Sequence, residues 1–327
     1  MLLGTMTSRA PRFMRDRRGL GSTRSVILYR AVLVWAACSL FSAGGAAQQL
    51  SPRSFWPAPK GTKVLVFGYS YSTGDVLTDP SLPIYGVDSA ISTGFLGYLQ
   101  TVALWGRTTN VIVELPYSWG NTKGLLFDLE ARRDLSGFAD LGVTLSVNLL
   151  GAPSMTPADF QRLRANPHPI LGVSLKVLAP TGHYDADRLI NVGANRWAAK
   201  PEFGFLIPLG AKWILELEGG AWFFGDDDNF VAGKREQEPI LSTEVHLVRR
   251  FRPGFWASLE ANIFTGGQQT IGEDESLVVQ RNSRIGVTVV VPFRGRHAIK
   301  VGYSRGVVTE FGSDYRQFLV SYQVVFR

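Results

Sequence analysis

The sequence predicts an all-β protein, a closed antiparallel transmembrane β-barrel of about 12 strands. Three observations lead to this fold class. The 327 residues include 35 Gly and 12% aromatic residues but only 19% charged residues, which excludes a disordered chain. From residue 60 onward apolar and polar residues alternate with the two-residue period of a strand that has two different faces. The segments that alternate are joined by long and short links in turn, as in bacterial outer-membrane barrels.

Residues 1–47 are predicted to be a cleaved signal peptide. They contain seven Arg and one Asp, then the apolar stretch 31–42 and the small residues Gly45, Ala46 and Ala47. The apolar stretch is too short to cross a bilayer as a helix, so an uncleaved anchor is the weaker alternative. Cleavage after Ala47 would leave a short periplasmic N-terminal segment, residues 48–60, followed by the barrel, residues 61–327.

The composition of the exported part excludes several classes of function. Without the seven Arg and the one Asp of residues 1–47, the 34 basic and 27 acidic residues become 27 and 26, a net charge of +1. Such a balance gives no support to a nucleic-acid partner. The single cysteine, Cys38, lies within the signal peptide. The exported chain therefore has no disulfide, no thiolate metal site and no cysteine nucleophile.

The strands are predicted wherever the alternation is sustained. In one of them Leu215 and Leu217 alternate with Glu216. An even number of strands is expected for a single-chain bacterial barrel. Twelve segments qualify: 62–71, 90–103, 108–117, 138–149, 169–179, 196–207, 212–224, 240–249, 255–264, 278–291, 297–304 and 316–326.

The links between these segments support the same topology. Long polar links follow the odd-numbered segments, at 72–89, 118–137, 180–195, 225–239, 265–277 and 305–315, and short turns follow the even-numbered ones. The link 150–168 is the exception, because it should be a short turn. It contains Thr156 followed by Pro157 and residues 158–162, which predicts a capped helix with proline in its first position.

A soluble β-sandwich or periplasmic barrel is the alternative to a membrane barrel. Aromatic residues at the segment ends favour the membrane, since two aromatic girdles mark where a lipid-facing band meets water. Trp213, Phe255 and Phe293 lie beside the short turns, and Tyr117, Trp119, Trp197, Trp222 and Phe224 lie beside the long links. The last segment ends close to Phe326, similar to the C-terminal signal of outer-membrane barrels. Outer-membrane lipids, lipopolysaccharide and the barrel assembly machinery are therefore the expected partners.

The face of the barrel that points inward is predicted to carry most of the charged residues. They are Glu114, Lys176, Arg196, Lys200, Glu202, Glu216, Glu218, Glu244, His246, Glu260, Arg284 and Lys300. Four of the acids fall on three consecutive segments, so acids and bases could oppose each other across the lumen as a pore constriction. Alternatively, these charges pair with neighbours and fill a narrow barrel. Leu206, Trp222, Leu319 and Val325 are the apolar exceptions on this face.

Catalytic and metal sites have weaker support. His246 shares its face with Ser242, Glu244 and Glu260, the nearest approach to a hydrolase constellation. A hydrogen-bond network in the lumen is the favoured interpretation, because lipid could not reach the group there. The run Asp226 to Asn229 lacks the Gly and the final Glu of a dedicated calcium loop. We therefore predict no catalytic residue, no metal ligand and no cofactor.

Several motifs of residues 172–230 resemble a known family. They are Leu178-Ala179-Pro180-Thr181-Gly182 with Asp185, Asn191-Val192-Gly193-Ala194-Asn195-Arg196-Trp197, Pro201-Glu202-Phe203-Gly204, and Trp222-Phe223-Phe224-Gly225-Asp226-Asp227-Asp228-Asn229-Phe230. Gly106-Arg107, Leu115-Pro116-Tyr117 and Gly151-Ala152-Pro153 add to the resemblance. Together they are similar to the putative MetA-pathway of phenol degradation family over nearly all of the exported chain. The resemblance implies an outer-membrane barrel of a kind often labelled a transporter, and it brings no catalytic residues.

The function expected from the sequence is a passive channel in the bacterial outer membrane for small solutes, apolar or aromatic compounds among them. A structural barrel that does not conduct and an outer-membrane barrel enzyme are the two alternatives. A lumen closed by paired charges would favour the structural barrel. A nucleophile beside His246 that faces lipid would favour the enzyme.

Overall fold

The structure is a computed structural model, which describes residues 50–75, 88–126, 129–231, 233–275, 279–311 and 314–326. The predicted signal peptide and its cleavage site lie outside these residues. No helix among them has the length and the apolar character needed to cross a membrane.

Strands account for most of the described chain. Their bounds are β1 (Lys63–Gly74), β2 (Asp88–Leu104), β3 (Arg107–Leu126), β4 (Leu129–Phe138), β5 (Leu141–Leu150), β6 (Ile170–Ala179), β7 (Ala198–Leu209), β8 (Trp213–Phe224), β9 (Arg235–Gln237), β10 (Ile240–Arg252), β11 (Phe255–Gly266), β12 (Gln269–Ile271), β13 (Asp274–Glu275), β14 (Gln280–Phe293), β15 (His297–Phe311) and β16 (Tyr315–Phe326). One helix, α1 (Pro157–Ala165), lies between β5 and β6.

These strands close into an antiparallel barrel. Each long strand pairs with its neighbour in the chain, and β1 pairs with both β2 and β16, which closes the ring. Strands β4 and β5 run along the same side of β3, with Tyr117 opposite Phe138 and Glu114 opposite Gly142, so they form one interrupted strand. With β4 and β5 taken together, the described part of the chain forms a 12-stranded barrel, as predicted. Strands β9, β12 and β13 form a separate small sheet.

The alternation of side chains explains why this sequence closes on itself. In β11 the inward side chains Ser258 and Glu260 are buried, whereas Leu259 and Ile263 are about 60% exposed on the outer surface. Exposed apolar side chains on successive strands form a continuous band around the barrel. Such a band is stable in lipid and would aggregate in water. The protein is therefore a transmembrane barrel of the bacterial outer membrane rather than a soluble β-sandwich.

The two ends of the barrel differ, and we name them by their connections. The turn end carries short turns such as Trp105-Gly106, where both residues have positive φ, 48° and 72°. Two consecutive residues of this kind form the turn that matches the twist of a two-residue hairpin. The loop end carries the long links and the small sheet. Because both termini of such barrels lie in the periplasm, the turn end is assigned to the periplasmic side.

Helix α1 confirms the helix that the sequence predicted in the link 150–168. Thr156 is its N-cap, and the Asp159 backbone N–H donates to the Thr156 hydroxyl while the Thr156 backbone N–H donates to Asp159. This reciprocal capping box begins the helix. Phe160 and Leu163 are its buried residues. The helix therefore lies at the turn end with an apolar face against the barrel.

The main departure from the prediction is the link 118–137. The sequence predicted a long polar loop there, but β3 and β4 continue as a paired hairpin, with Trp119 opposite Ser136 and Lys123 opposite Arg132. The outward residues Lys123, Arg132 and Asp134 are exposed and polar, because the extension lies beyond the lipid-facing band, while Thr122 and Leu135 on the other face are buried. The outer face therefore lacks the apolar residues on which the alternation depends. Trp222 was predicted both in the aromatic girdle and on the inward face, and its burial inside the barrel agrees with the inward position alone.

Asp75, just beyond β1 at the loop end, gives a prediction about pH. Its backbone N–H donates to the Asp314 carbonyl over 2.9 Å. Burial, and then the nearby Asp314 carboxylate, raise the pKa of Asp75 from 3.8 to about 7. An unfolded Asp ionises near pH 4, so the folded state loses stability as the pH rises from about 4 to about 7, and below that window the two states are protonated alike.

We therefore expect Asp75→Asn to stabilise the barrel at pH 8 and to leave it unchanged at pH 4. Because the side chain is half-buried, the expected gain is only about 1 kcal/mol. Thermal unfolding followed by circular dichroism at both pH values measures it. Asp88→Asn, at an exposed position at the start of β2, is the control. An equal gain at pH 4 would contradict the role of ionisation.

Candidate functional site

The lumen of the barrel is the candidate site. Of the 12 charged residues predicted to point inward, 11 lie on strands of the barrel wall, and Arg196 lies in the link before β7, where it contacts Gln237 and Phe224. Nine of the 12 are buried, and Glu114, Lys176 and Glu202 are nearly so. Leu206, Trp222, Leu319 and Val325, the predicted apolar exceptions, are buried as well. Whether the charged residues constrict a pore stays a prediction.

The charges are not arranged as two opposed walls. The Lys200 Nζ atom lies 3.0 Å from Glu202 Oε2 and 3.2 Å from Glu244 Oε1, with Glu218 close by. Lys200 is on β7, Glu218 on β8 and Glu244 on β10, which are consecutive in the barrel wall. Lys200 thus lies among the acids, as in the alternative in which the charges pair with their neighbours. On this side of the lumen the charges form a compact acidic cluster around one ammonium group.

The remaining bases have separate partners. Lys176 Nζ donates to Glu114 Oε2 over 2.9 Å. Arg284 donates to the Tyr315 carbonyl and to the Ser304 hydroxyl, and its guanidinium lies 3.7 Å from the centre of the Tyr315 ring. These contacts fix the long side chains against the wall. Such contacts are those of the second alternative considered above, in which the charges pair with neighbours and fill a narrow barrel.

His246 lies in the middle of the acidic cluster. It is opposite Glu216 on β8 and opposite Glu260 on β11, and its Nε2 atom lies 3.5 Å from Glu244 Oε2. Its side chain has no exposed surface. Ser242, the candidate nucleophile, is also buried inside the barrel, and Ser258 instead donates to Glu260. The arrangement needed by a lipid-facing enzyme is not present in the described residues.

The N-terminal segment 50–59 occupies the lumen. The sequence analysis assigned it to the periplasm, but the Arg53 backbone N–H donates to Glu216 Oε2 over 2.5 Å, inside the barrel. Phe55 and Trp56 are each 1% exposed. The Phe55 ring lies so close to Gly172 and Gly204 that a Cβ atom at either position would clash with it. These two glycines therefore make room for the segment, which we call the plug segment.

Helix α1 and the plug segment together close the turn end. Phe55, Trp56, Met155, Phe160 and Leu163 join one apolar cluster with the inner face of the wall. The wall contributes Val64, Val66, Leu99, Ile112, Ile170, Leu206, Ile214, Val248, Trp256, Val290, Ala298 and Val325 to this cluster. The lumen is thus apolar toward the turn end. Nearer the loop end it carries the buried charged residues around Lys200, and we call this part the charged level.

A cavity of about 70 Å³ lies where the plug segment meets the charged level, with room for a few water molecules. Ser51 and Ser54 of the plug segment form one side of it. The wall side is formed by Glu114, Thr144, Ser146, Ser174, Lys176, Lys200, Glu202, Glu218, Glu244 and two apolar residues, Ile112 and Trp222.

At the loop end, Asp227 joins the long links rather than forming a calcium loop. Its carboxylate accepts hydrogen bonds from the Tyr184 hydroxyl and the Asn195 amide, and it lies 3.6 Å from Arg235 Nη2. Neighbouring Asp226 lies 2.7 Å from Lys234 Nζ. Protein donors therefore occupy the oxygens that a cation would need. The acidic run Asp226 to Asn229 therefore connects the link 180–197 with the link 225–239.

The family of the chain follows from its sequence. A family described as "Putative MetA-pathway of phenol degradation" matches residues 62–324. The chain belongs to this family. The match begins at the turn before β1 and ends inside β16, so it covers the whole barrel wall but stops short of the plug segment.

One solved structure shares the fold of this family member, and a second has a weaker overall similarity. An outer membrane channel from Pseudomonas putida F1 is 22% identical, with a TM-score of 0.69, and the similarity covers 85% of this chain and 100% of the other. The beta domain of the Bordetella autotransporter BrkA is 12% identical, with a TM-score of 0.48, covering 82% of this chain and 100% of the other. No curated protein sequence matches significantly.

Sequence reasoning missed the plug segment in this family member. Its contacts reach far along the chain, since Arg53 and Glu216 are 163 residues apart. Two signals pointed toward it. Phe55 and Trp56 are large apolar residues in a segment expected to be in water, and the helix-bearing link 150–168 is too long for a simple turn. Both find their explanation in the apolar cluster at the turn end.

Proposed function

We propose that this protein is an outer-membrane channel for small solutes, and that its plug segment holds it closed. The observation that carries this proposal is that the plug segment, which precedes β1 and is not part of the barrel wall, helps to fill the turn end of the lumen. If the chain is cleaved after Ala47 as expected, this segment is its terminus and can leave without breaking any strand pairing. A family relationship to outer-membrane barrels and a fold shared with an outer membrane channel support the same proposal.

The solute class that the lumen favours is small and at least partly apolar, such as an aromatic compound. Departure of the plug segment would uncover a passage lined by Leu206, Ile214, Val248 and Val290 below the charged level. An aromatic ring would replace the buried Phe55 and Trp56 rings in that passage at little cost in apolar contact. A sugar would lose hydrogen bonds to water there without regaining them.

Conductance of the exported chain in planar bilayers tests the closed state. We expect Phe55→Ala combined with Trp56→Ala to raise the conductance or the open probability at least several-fold, because the pair removes most of the apolar contact of the plug segment. Phe203→Ala combined with Phe205→Ala removes two rings from the lipid-facing side of β7 and is the matched control. Deletion of residues 48–59 should have a still larger effect.

The solute class is tested with anions that do not cross lipid by themselves. Uptake of benzenesulfonate and of gluconate into liposomes that contain the deletion variant should differ, with benzenesulfonate faster. Equal rates would reduce the proposal to a general diffusion pore.

A structural barrel that does not conduct is the second candidate, and the paired charges favour it. Lys176 pairs with Glu114 across β5, and Lys200 pairs with Glu202 on its own strand and with Glu244 across β8, so these charges tie the inner wall together. If neither the parent chain nor the deletion variant conducts ions or admits either solute, the structural barrel is the function that remains.

A further inference from the structure

Three buried side chains of the lumen bring metal-binding atoms together. Glu218 on β8 and Glu244 and His246 on β10 each offer one ligand atom, and these three atoms lie within 4.8 Å of one another. Adjacent strands position them. Glu244 and Glu218 are directly opposite in the pairing of β10 with β8, and His246 follows Glu244 by two residues on the same face.

All three side chains have polar atoms that lack hydrogen-bond partners. Among the described residues, Glu218 Oε1, Glu244 Oε2 and both ring nitrogens of His246 are buried without one. The distance of 3.5 Å from His246 Nε2 to Glu244 Oε2 is too long for a good hydrogen bond. A buried polar atom without a partner is costly. Several such atoms that converge on one point indicate a ligand that would satisfy them together.

The charge around this point favours a cation. Lys200 contacts Glu244 through Oε1, which leaves Oε2 on the side of His246. Glu216 and Glu260 face His246 from the neighbouring strands, and only the backbone N–H of Arg53 is seen to bond Glu216 in the described residues. Glu202, Glu216, Glu218, Glu244 and Glu260 thus outnumber the two cationic groups near the cluster, the Lys200 ammonium group and the Arg53 guanidinium group. A divalent cation would compensate most of this excess.

We propose that Glu218, Glu244 and His246 form a binding site for a divalent transition-metal ion such as Zn²⁺ or Mn²⁺. One imidazole nitrogen and two carboxylate oxygens are a donor set that suits these ions, whereas Ca²⁺ and Mg²⁺ prefer oxygen ligands alone. The cavity that borders Glu218 and Glu244 can hold water for the remaining coordination positions. The site would join β8 to β10 beneath the loop end, whether or not the barrel conducts.

Metal binding by the folded, exported chain in detergent tests this site. After treatment with EDTA, Zn²⁺ is titrated in competition with a chromogenic chelator. We expect one equivalent to bind, and His246→Gln and Glu218→Gln each to weaken binding at least 10-fold. Glu114→Gln, which alters a lumen carboxylate bound to Lys176 instead, is the matched control and should leave the affinity unchanged. Folding of each variant is checked by its strand signal in circular dichroism.

Three results would overturn the proposal. They are the absence of stoichiometric Zn²⁺ binding, unchanged binding by folded His246→Gln, and equal affinity for Mg²⁺ or Ca²⁺, which would indicate a general acidic cluster. If the variants do not fold, the parent chain loaded with Cu²⁺ decides. Electron paramagnetic resonance should then show coupling to one imidazole nitrogen, and a spectrum without nitrogen coupling would count against the site.

Discussion

Lys200→Met is expected to destabilise the barrel by about 3–5 kcal/mol, because it removes the ammonium group from a buried cluster of carboxylates. Lys200 is nearly buried, and its Nζ atom contacts both Glu202 and Glu244. Without it these acids keep the cost of burial and lose their attraction to the base. Urea unfolding in lipid vesicles, in the presence of EDTA and followed by tryptophan fluorescence, measures the loss.

A rescue experiment separates charge from packing. Lys200→Met combined with Glu244→Gln should recover a large part of the lost stability, since it removes one of the carboxylates that Lys200 had neutralised. Lys212→Met, at an exposed turn between β7 and β8, is the control and should change stability by less than about 0.5 kcal/mol. A small loss for Lys200→Met, or a double variant weaker than the single one, would contradict this account of the cluster.

Most of the barrel wall could be predicted from the sequence, for a physical reason. A strand between lipid and lumen must alternate, so residues such as Leu259 and Glu260 reveal both its existence and its orientation. The same argument predicted the inward position of charged residues such as Glu216 and His246, which are buried. Beyond the lipid-facing band the argument fails, because the outward residues there are polar as well. The polar hairpin of β3 and β4 was therefore predicted as a loop.

The partners of the inward residues could not be predicted in the same way. Alternation gives the face on which a side chain lies, but its neighbours depend on the register of strands far apart in the sequence. Lys200 meets Glu244 only because β7, β8 and β10 pair in the observed register. This is why the sequence left two alternatives open, opposed charged walls and charges paired with their neighbours.

The plug segment shows a second limit of sequence reasoning. The segment has neither strand nor helix periodicity, and most of its partners are wall residues more than 100 positions away. Gly172 and Gly204 are informative only once the Phe55 ring is seen against them. The sequence indicates only that two large apolar residues, Phe55 and Trp56, need to be buried. That they pack against the inner wall and helix α1 is known from the structure alone.

Leu259→Arg is expected to cost about 2–4 kcal/mol of unfolding free energy, because it places a charge on the lipid-facing surface near the middle of β11. Leu259 is 63% exposed, and Ile263 on the same face is 61% exposed, so the position belongs to the apolar band. Val307→Arg is the matched control. Val307 is 52% exposed but lies near the loop end of β15, where the guanidinium can reach water.

The contrast between these two positions tests the membrane assignment itself. In a bilayer the cost of arginine depends on depth and falls to about 0–1 kcal/mol near the interface. In a soluble barrel both side chains would meet water, and both substitutions would be nearly neutral. Reversible urea unfolding in phospholipid vesicles distinguishes the cases. Equal costs at Leu259 and Val307 would remove the depth argument, while a large cost at Leu259 alone places β11 across the hydrocarbon layer.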